Sequence, residues 1–145
     1  MKNQLLITLL IVMLAGCTQT STKEPSSINI TSSRPVAGAT INDSALIYVD
    51  VEYSVGNYNT SASYFIEITL LREDSEIMLP GLDEIVTSAT GTATNLFIDT
   101  DMLGYLDENE DLSYPPPYEF KVSLNKRLTG MTYTQLANTT ITYQG

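Results

Sequence analysis

The residues best suited to chemistry in this chain are carboxylates, and they are densest in Asp99-Thr100-Asp101-Met102-Leu103-Gly104-Tyr105-Leu106-Asp107-Glu108-Asn109-Glu110. Set against a twelve-residue calcium loop, this stretch has acids at the first, third, ninth and twelfth places, glycine at the sixth and an aliphatic residue at the eighth. Asp99, Asp101, Asp107 and Glu110 are the metal-ligand candidates, because a hard cation needs several oxygens and a sharp turn to gather them. Leu103 stands at the fifth place, where a side-chain oxygen belongs, so the expected site is a weak calcium site. The alternative is a solvated turn with Leu103 and Leu106 packed inward. Other chemistry is scarce. The chain has no histidine and a single cysteine, Cys17, which excludes a Ser-His-Asp triad, a Cys-His pair, histidine-ligated metals and an intrachain disulfide. A carboxylate pair such as Asp99 with Asp107 is available for glycosidase-like work, but a short acidic chain offers little room for a cleft. No enzymatic activity is expected, and no cofactor beyond that possible calcium.

Cys17 itself sits in a telling context. Lys2 is followed by an apolar run from Leu5 to Leu14 broken only by Thr8, then by Ala15 and Gly16. The run is too short to span a bilayer, which takes about 20 residues, and it has the charged and apolar regions of an export signal. Leu14-Ala15-Gly16-Cys17 resembles the lipobox of bacterial lipoprotein precursors. That resemblance covers residues 1–17 and implies cleavage before Cys17 and lipidation of its thiol and new amino group. Residues 1–16 are then a signal peptide, with palmitate-type acylation making Cys17 the membrane anchor. Thr18 follows the cysteine, where an aspartate commonly marks inner-membrane retention, so the resemblance implies the outer membrane of the bacterial cell envelope.

Residues 17–27 are polar, contain Pro25 and lack periodicity, as expected of a flexible tether. The ten residues from Thr18 to Ser27 reach at most ~33 Å at ~3.3 Å each. Residues 28–145 are one domain. The whole chain carries a formal charge of −10, which argues against nucleic acid and leaves membrane binding to the lipid on Cys17.

The remaining pattern is that of strands. Ile47, Val49, Val51, Tyr53 and Val55 alternate with Tyr48, Asp50, Glu52 and Ser54; Tyr64, Ile66, Ile68 and Leu70 alternate with Phe65, Glu67, Thr69 and Leu71. On that second strand the outer residues Phe65 and Leu71 are apolar, which calls for a cover or a partner. Tyr118, Phe120, Val122 and Leu124 repeat the period opposite Glu119, Lys121, Ser123 and Asn125. Shorter strands are expected at Ile28–Ile30, with a continuation through Val36–Ile41, at Glu76–Leu79, Glu84–Ala89, Thr92–Asp99 and Thr139–Tyr143. Seven or eight such strands without an amphipathic helix point to an all-β fold, a single antiparallel β-sandwich. Their order and lengths resemble an immunoglobulin-like or fibronectin type III-like module. Leu112, six residues before Tyr118, is similar to the leucine-to-tyrosine corner of the latter. The triple proline Pro115-Pro116-Pro117 departs from that pattern. Tyr114-Pro115-Pro116-Pro117-Tyr118 reads as a stiff strand entry with a cis bond after Tyr114, or as a polyproline ligand.

A lipid-anchored, non-enzymatic envelope module is the expectation, holding a protein partner through a sheet edge or a loop end. The alternative is an inhibitor or carbohydrate-binding lipoprotein acting through the loops Gly56–Ser63 and Asn125–Thr132.

Overall fold

The computed structural model describes residues 24–42, 45–72, 75–78, 83–101 and 116–145. Eight strands form two antiparallel sheets packed face to face as a sandwich. They are β1 (Ser27–Arg34), β2 (Leu46–Ser54), β3 (Tyr64–Arg72), β4 (Ser75–Met78), β5 (Glu84–Val86), β6 (Thr90–Asp99), β7 (Tyr118–Arg127) and β8 (Tyr133–Tyr143). One sheet has the order β1-β2-β6 and the other β4-β3-β7-β8, with β5 also paired to β3.

The period-two runs account for the core. Ile47, Val49 and Val51 on β2 meet Ile66, Ile68 and Leu70 on β3 and Phe120, Val122 and Leu124 on β7, all without solvent contact. Tyr53, at the end of the β2 run, is only half-buried: its hydroxyl reaches Ser88 (3.2 Å) and its ring lies over Gly91. A β-carbon at position 91 would strike that ring and push its tip aside, so glycine there lets the two approach closely.

The sheets are not simple ladders. β1 gains a residue between Ile30 and Ser32, opposite Asp50 and Val51 of β2, and β6 gains one between Ala93 and Leu96, opposite Val49 to Val51. These two bulges flank Asp50 on both sides. After the cis bond Arg34–Pro35, the expected straight continuation of β1 through Val36–Ile41 does not occur. The chain turns instead and crosses to the other sheet, where Gly38 N donates to Thr142 O (2.8 Å) and Ile41 N to Gln144 O (2.8 Å). Thr40 pairs with Gln144 in parallel, and Tyr143 Oη donates to Pro35 O (3.1 Å). Proline supplies no ladder donor, which is why the strand ends there.

β8 begins at Tyr133, six residues before the expected Thr139, and β7 runs on to Arg127, leaving Leu128–Thr132 as the turn. β5 is limited to three residues. The bond after Tyr114 and the residue Leu112 lie outside the described residues; Pro116–Pro117 is cis.

Candidate functional site

Three surfaces emerge once the strands are in register. The first is the outer face of the β1-β2-β6 sheet. Tyr48 on β2 is paired with Arg34 on β1 and Phe97 on β6, so the three side chains form a row across the sheet. Arg34 lies over the Tyr48 ring at 5.8 Å from its centroid. Leu46, two residues along β2, joins the same face. Leu46, Tyr48 and Phe97 are 52%, 36% and 42% exposed, an apolar cluster on a face that the alternation would otherwise make polar.

Beside this cluster Asp50 fixes the geometry. Its Oδ2 accepts from Ser32 Oγ (2.6 Å) and Arg34 Nη1 (3.5 Å), and its Oδ1 accepts from Asn95 N (2.7 Å). Arg34 Nη2 donates to Asn95 Oδ1 (2.7 Å), and Asn95 has a positive φ of 57°. The Ser32 hydroxyl and the Asn95 N–H, aided by the Arg34 guanidinium, hold the Asp50 carboxyl below its ordinary range. One carboxylate thus fastens two bulges and orients the arginine that lies on Tyr48.

The second surface is the outer face of the other sheet. Phe65 and Glu67 on β3 are 6% and 4% exposed, and Thr69 is 2% exposed, so β3 is buried on both faces. The expected need for a cover at Phe65 is met by Tyr133, whose ring packs edge-on at 5.6 Å, and by Arg127, 5.4 Å from the ring centroid. Leu71 is half-buried. Asn125 Nδ2 donates to Glu67 Oε2 (3.2 Å), while Lys121 pairs with Glu76. Burial, followed by the neighbouring charge of Asp83, raises the Glu67 pKa. The Glu67 charge in turn raises the Tyr133 pKa.

The sign of that shift sets a test. A carboxyl whose folded pKa lies above its unfolded one stabilises the fold below the ordinary range, and this contribution is lost as pH rises through the folded value. Glu67→Gln keeps an acceptor for Asn125 without a buried charge. Its stability relative to the wild type should therefore improve between about pH 4 and pH 7. Urea unfolding at both pH values checks this, and an identical difference at each would contradict it.

The third surface is the end of the sandwich where β2–β3, β5–β6 and β7–β8 are joined. Val55 N donates to Ala89 O (2.7 Å) and Arg127 N to Ser63 O (2.9 Å), so the loops Gly56–Ser63 and Asn125–Thr132 do come together. Within the latter only Leu128–Thr132 is turn; Asn125 is wholly buried within β7. Tyr58 stacks on Tyr64 at 5.2 Å, and Lys126 lies 6.0 Å from the Tyr64 ring centroid. The turn is closed by Leu128 N to Thr132 O (2.9 Å) and Thr132 N to Thr129 O (3.1 Å), with Gly130 at φ 62°. Leu128 and Met131 project from it, 54% and 100% exposed.

Of the four calcium-ligand candidates, Asp99 and Asp101 are described: Asp101 N donates to Asp99 Oδ1 (3.0 Å). Thr100 between them is buried, accepting from Ala45 N (2.7 Å). Asp107 and Glu110 lie outside the described residues, as do Cys17 and the rest of the lipobox. Among the described residues no three Asp, Glu, Cys or His side chains are grouped to hold a metal ion.

No protein-family model, curated protein or solved structure matches this chain.

Proposed function

We propose that this chain is a non-enzymatic, lipid-anchored module of the bacterial cell envelope that holds a protein partner on the outer face of its three-stranded sheet. The observation that carries the reading is the exposed Leu46–Tyr48–Phe97 cluster with Arg34 laid on the tyrosine. A tyrosine and an arginine beside desolvatable apolar side chains are the composition of an interface centre. Leu46 adds an aliphatic surface that suits a protein better than a sugar ring. Asp50 holds the arginine in place before any partner arrives, which lowers the ordering cost of binding.

The anchor is read from Leu14-Ala15-Gly16-Cys17 and the tether from the polar residues between it and Glu24, where the chain packs against Gly56, with the outer membrane as destination. β1 starts beside Ser54 and reaches Tyr48 at its other end. A partner on this cluster would therefore sit away from the end at which the tether enters.

A photo-reactive amino acid at position 48, in cells producing the full chain, should give one discrete protein adduct. The same residue at Glu52, on the same face of β2 but outside the cluster, should not. Phe97→Glu should remove the adduct without lowering the melting temperature, since Phe97 faces solvent. Adducts of equal yield from both positions, or none, would reject this face as the docking surface.

The alternative is a ligand, a carbohydrate or an enzyme to be inhibited, held by the loops. The contact between Gly56–Ser63 and the β7–β8 turn favours it. Weak calcium binding by Asp99, Asp101, Asp107 and Glu110 remains a separate proposal, tested by the melting temperature with calcium against equal ionic strength of sodium chloride.

A further inference from the structure

The loop end carries a combination found nowhere else among the described residues. Lys126 and Arg127 are adjacent cations in a chain of formal charge −10. They stand directly before a turn whose Leu128 and Met131 are exposed, with Tyr133 43% exposed just after it. Two aliphatic side chains at a hairpin tip, a basic collar behind them and tyrosines at the rim are what a polypeptide presents to a headgroup layer.

The chain enters the domain at this same end. Gly56 N donates to Ser26 Oγ (3.0 Å), and the Glu24 and Pro25 backbone lies so close to Gly56 that a β-carbon there would collide with it. From Gly56 the loop runs to Ser63, which is bonded to Arg127. Cys17 and Glu24 are seven residues apart in the sequence, a reach of at most about 25 Å. An anchor at Cys17 therefore keeps the β7–β8 turn within one short chain length of the bilayer.

We infer that the β7–β8 turn is a second membrane contact, seating Met131 and Leu128 among the acyl-chain tops while Lys126 and Arg127 meet anionic headgroups. This rests on the lipid-anchored reading of Cys17. The occupant of this surface is the lipid to which the chain is already tied, and the contact sets the orientation of the sandwich.

The test uses the full acylated protein, extracted from membranes and reconstituted into vesicles of phosphatidylethanolamine and phosphatidylglycerol. Because acylation consumes the thiol of Cys17, a Met131→Cys variant offers one reactive sulfur for an environment-sensitive fluorophore. Val36→Cys, 71% exposed and beyond the opposite end of β1, serves as the control. Both positions face solvent, so neither change disturbs the core. The label at 131 should be blue-shifted and quenched by nitroxide-bearing lipid several-fold more than the label at 36. Equal quenching at the two positions in protein that floats with the vesicles would overturn the membrane contact and leave the anchor standing. Protein that fails to float would overturn both.

Discussion

Val51→Asp should leave the domain unfolded, while Glu52→Lys, the next residue, should leave its stability within about 0.5 kcal/mol of the wild type. Val51 is wholly buried in the middle of β2, between Ile30 of β1 and Ala93 of β6. An aspartate there has no cation and no donor within the apolar core. Leaving such a charge unpaired costs several kcal/mol, against a total stability of about 5–15 kcal/mol for an ordinary domain. The neighbouring bulges cannot relieve it by slipping register, because Asp50 is tied to both of them. Glu52 faces solvent opposite Asn29 and Thr92, so reversing its charge meets water. Circular dichroism melts of the two variants check the expectation; equal stability would place Val51 on the wrong face.

Cys17→Ser should leave the precursor uncleaved or unlipidated and shift the protein away from the detergent-extracted membrane fraction. The expectation follows from the apolar run of Leu5–Leu14 and the small residues before the cysteine. An oxygen in place of sulfur cannot form the thioether that carries the diacylglycerol. The loss should be near total, since the chain's formal charge of −10 provides no general attraction to anionic lipid, and two basic residues at one turn are too few to hold a domain alone. A fatty-acid probe that marks the wild type but not the variant would support the anchor. A wild type left unmarked would dispose of it.

The fold was legible where one strand face is continuously apolar at a period of two. β2, β3 and β7 announce themselves because Ile47, Ile66 and Val122 recur at period two with their neighbours. In β8 the alternation is clear only from Thr139 onward, since its first half, Tyr133-Thr134-Gln135-Leu136-Ala137-Asn138, is mostly polar or half-buried and gains its place from pairing with β7 rather than from burial. The crossing after Arg34 depends on contacts with Gln144 and Thr142, more than a hundred residues away, which no local pattern reports.

The candidate surface was hidden for a related reason. Alternation alone puts Tyr48 on the outer face, but its significance needs Phe97, which lies 49 positions later and is brought beside it only by the β2–β6 register. A signal existed: Phe97 between the buried Leu96 and Ile98 is the wrong residue type for a solvent face. Alternation puts Glu67 on an outer face as well, and the apolar Phe65 beside it calls for a cover, yet nothing nearby in sequence says that Tyr133 and Asn125 will supply it.

The direction in which β1 runs has a mechanical meaning. Its first residue, Ser27, lies at the end where the tether enters, and its last, Arg34, lies beside Tyr48. On the proposed reading, a tug between an anchored N-terminus and a partner at Tyr48 and Phe97 would be directed along the strand. The hydrogen bonds between β1 and β2 stand perpendicular to that axis, so the load is shared across the ladder as shear instead of peeling it bond by bond. An envelope that stretches or bends would strain all the pairs from Ser27–Ser54 to Arg34–Tyr48 at once, the geometry in which a strand yields last.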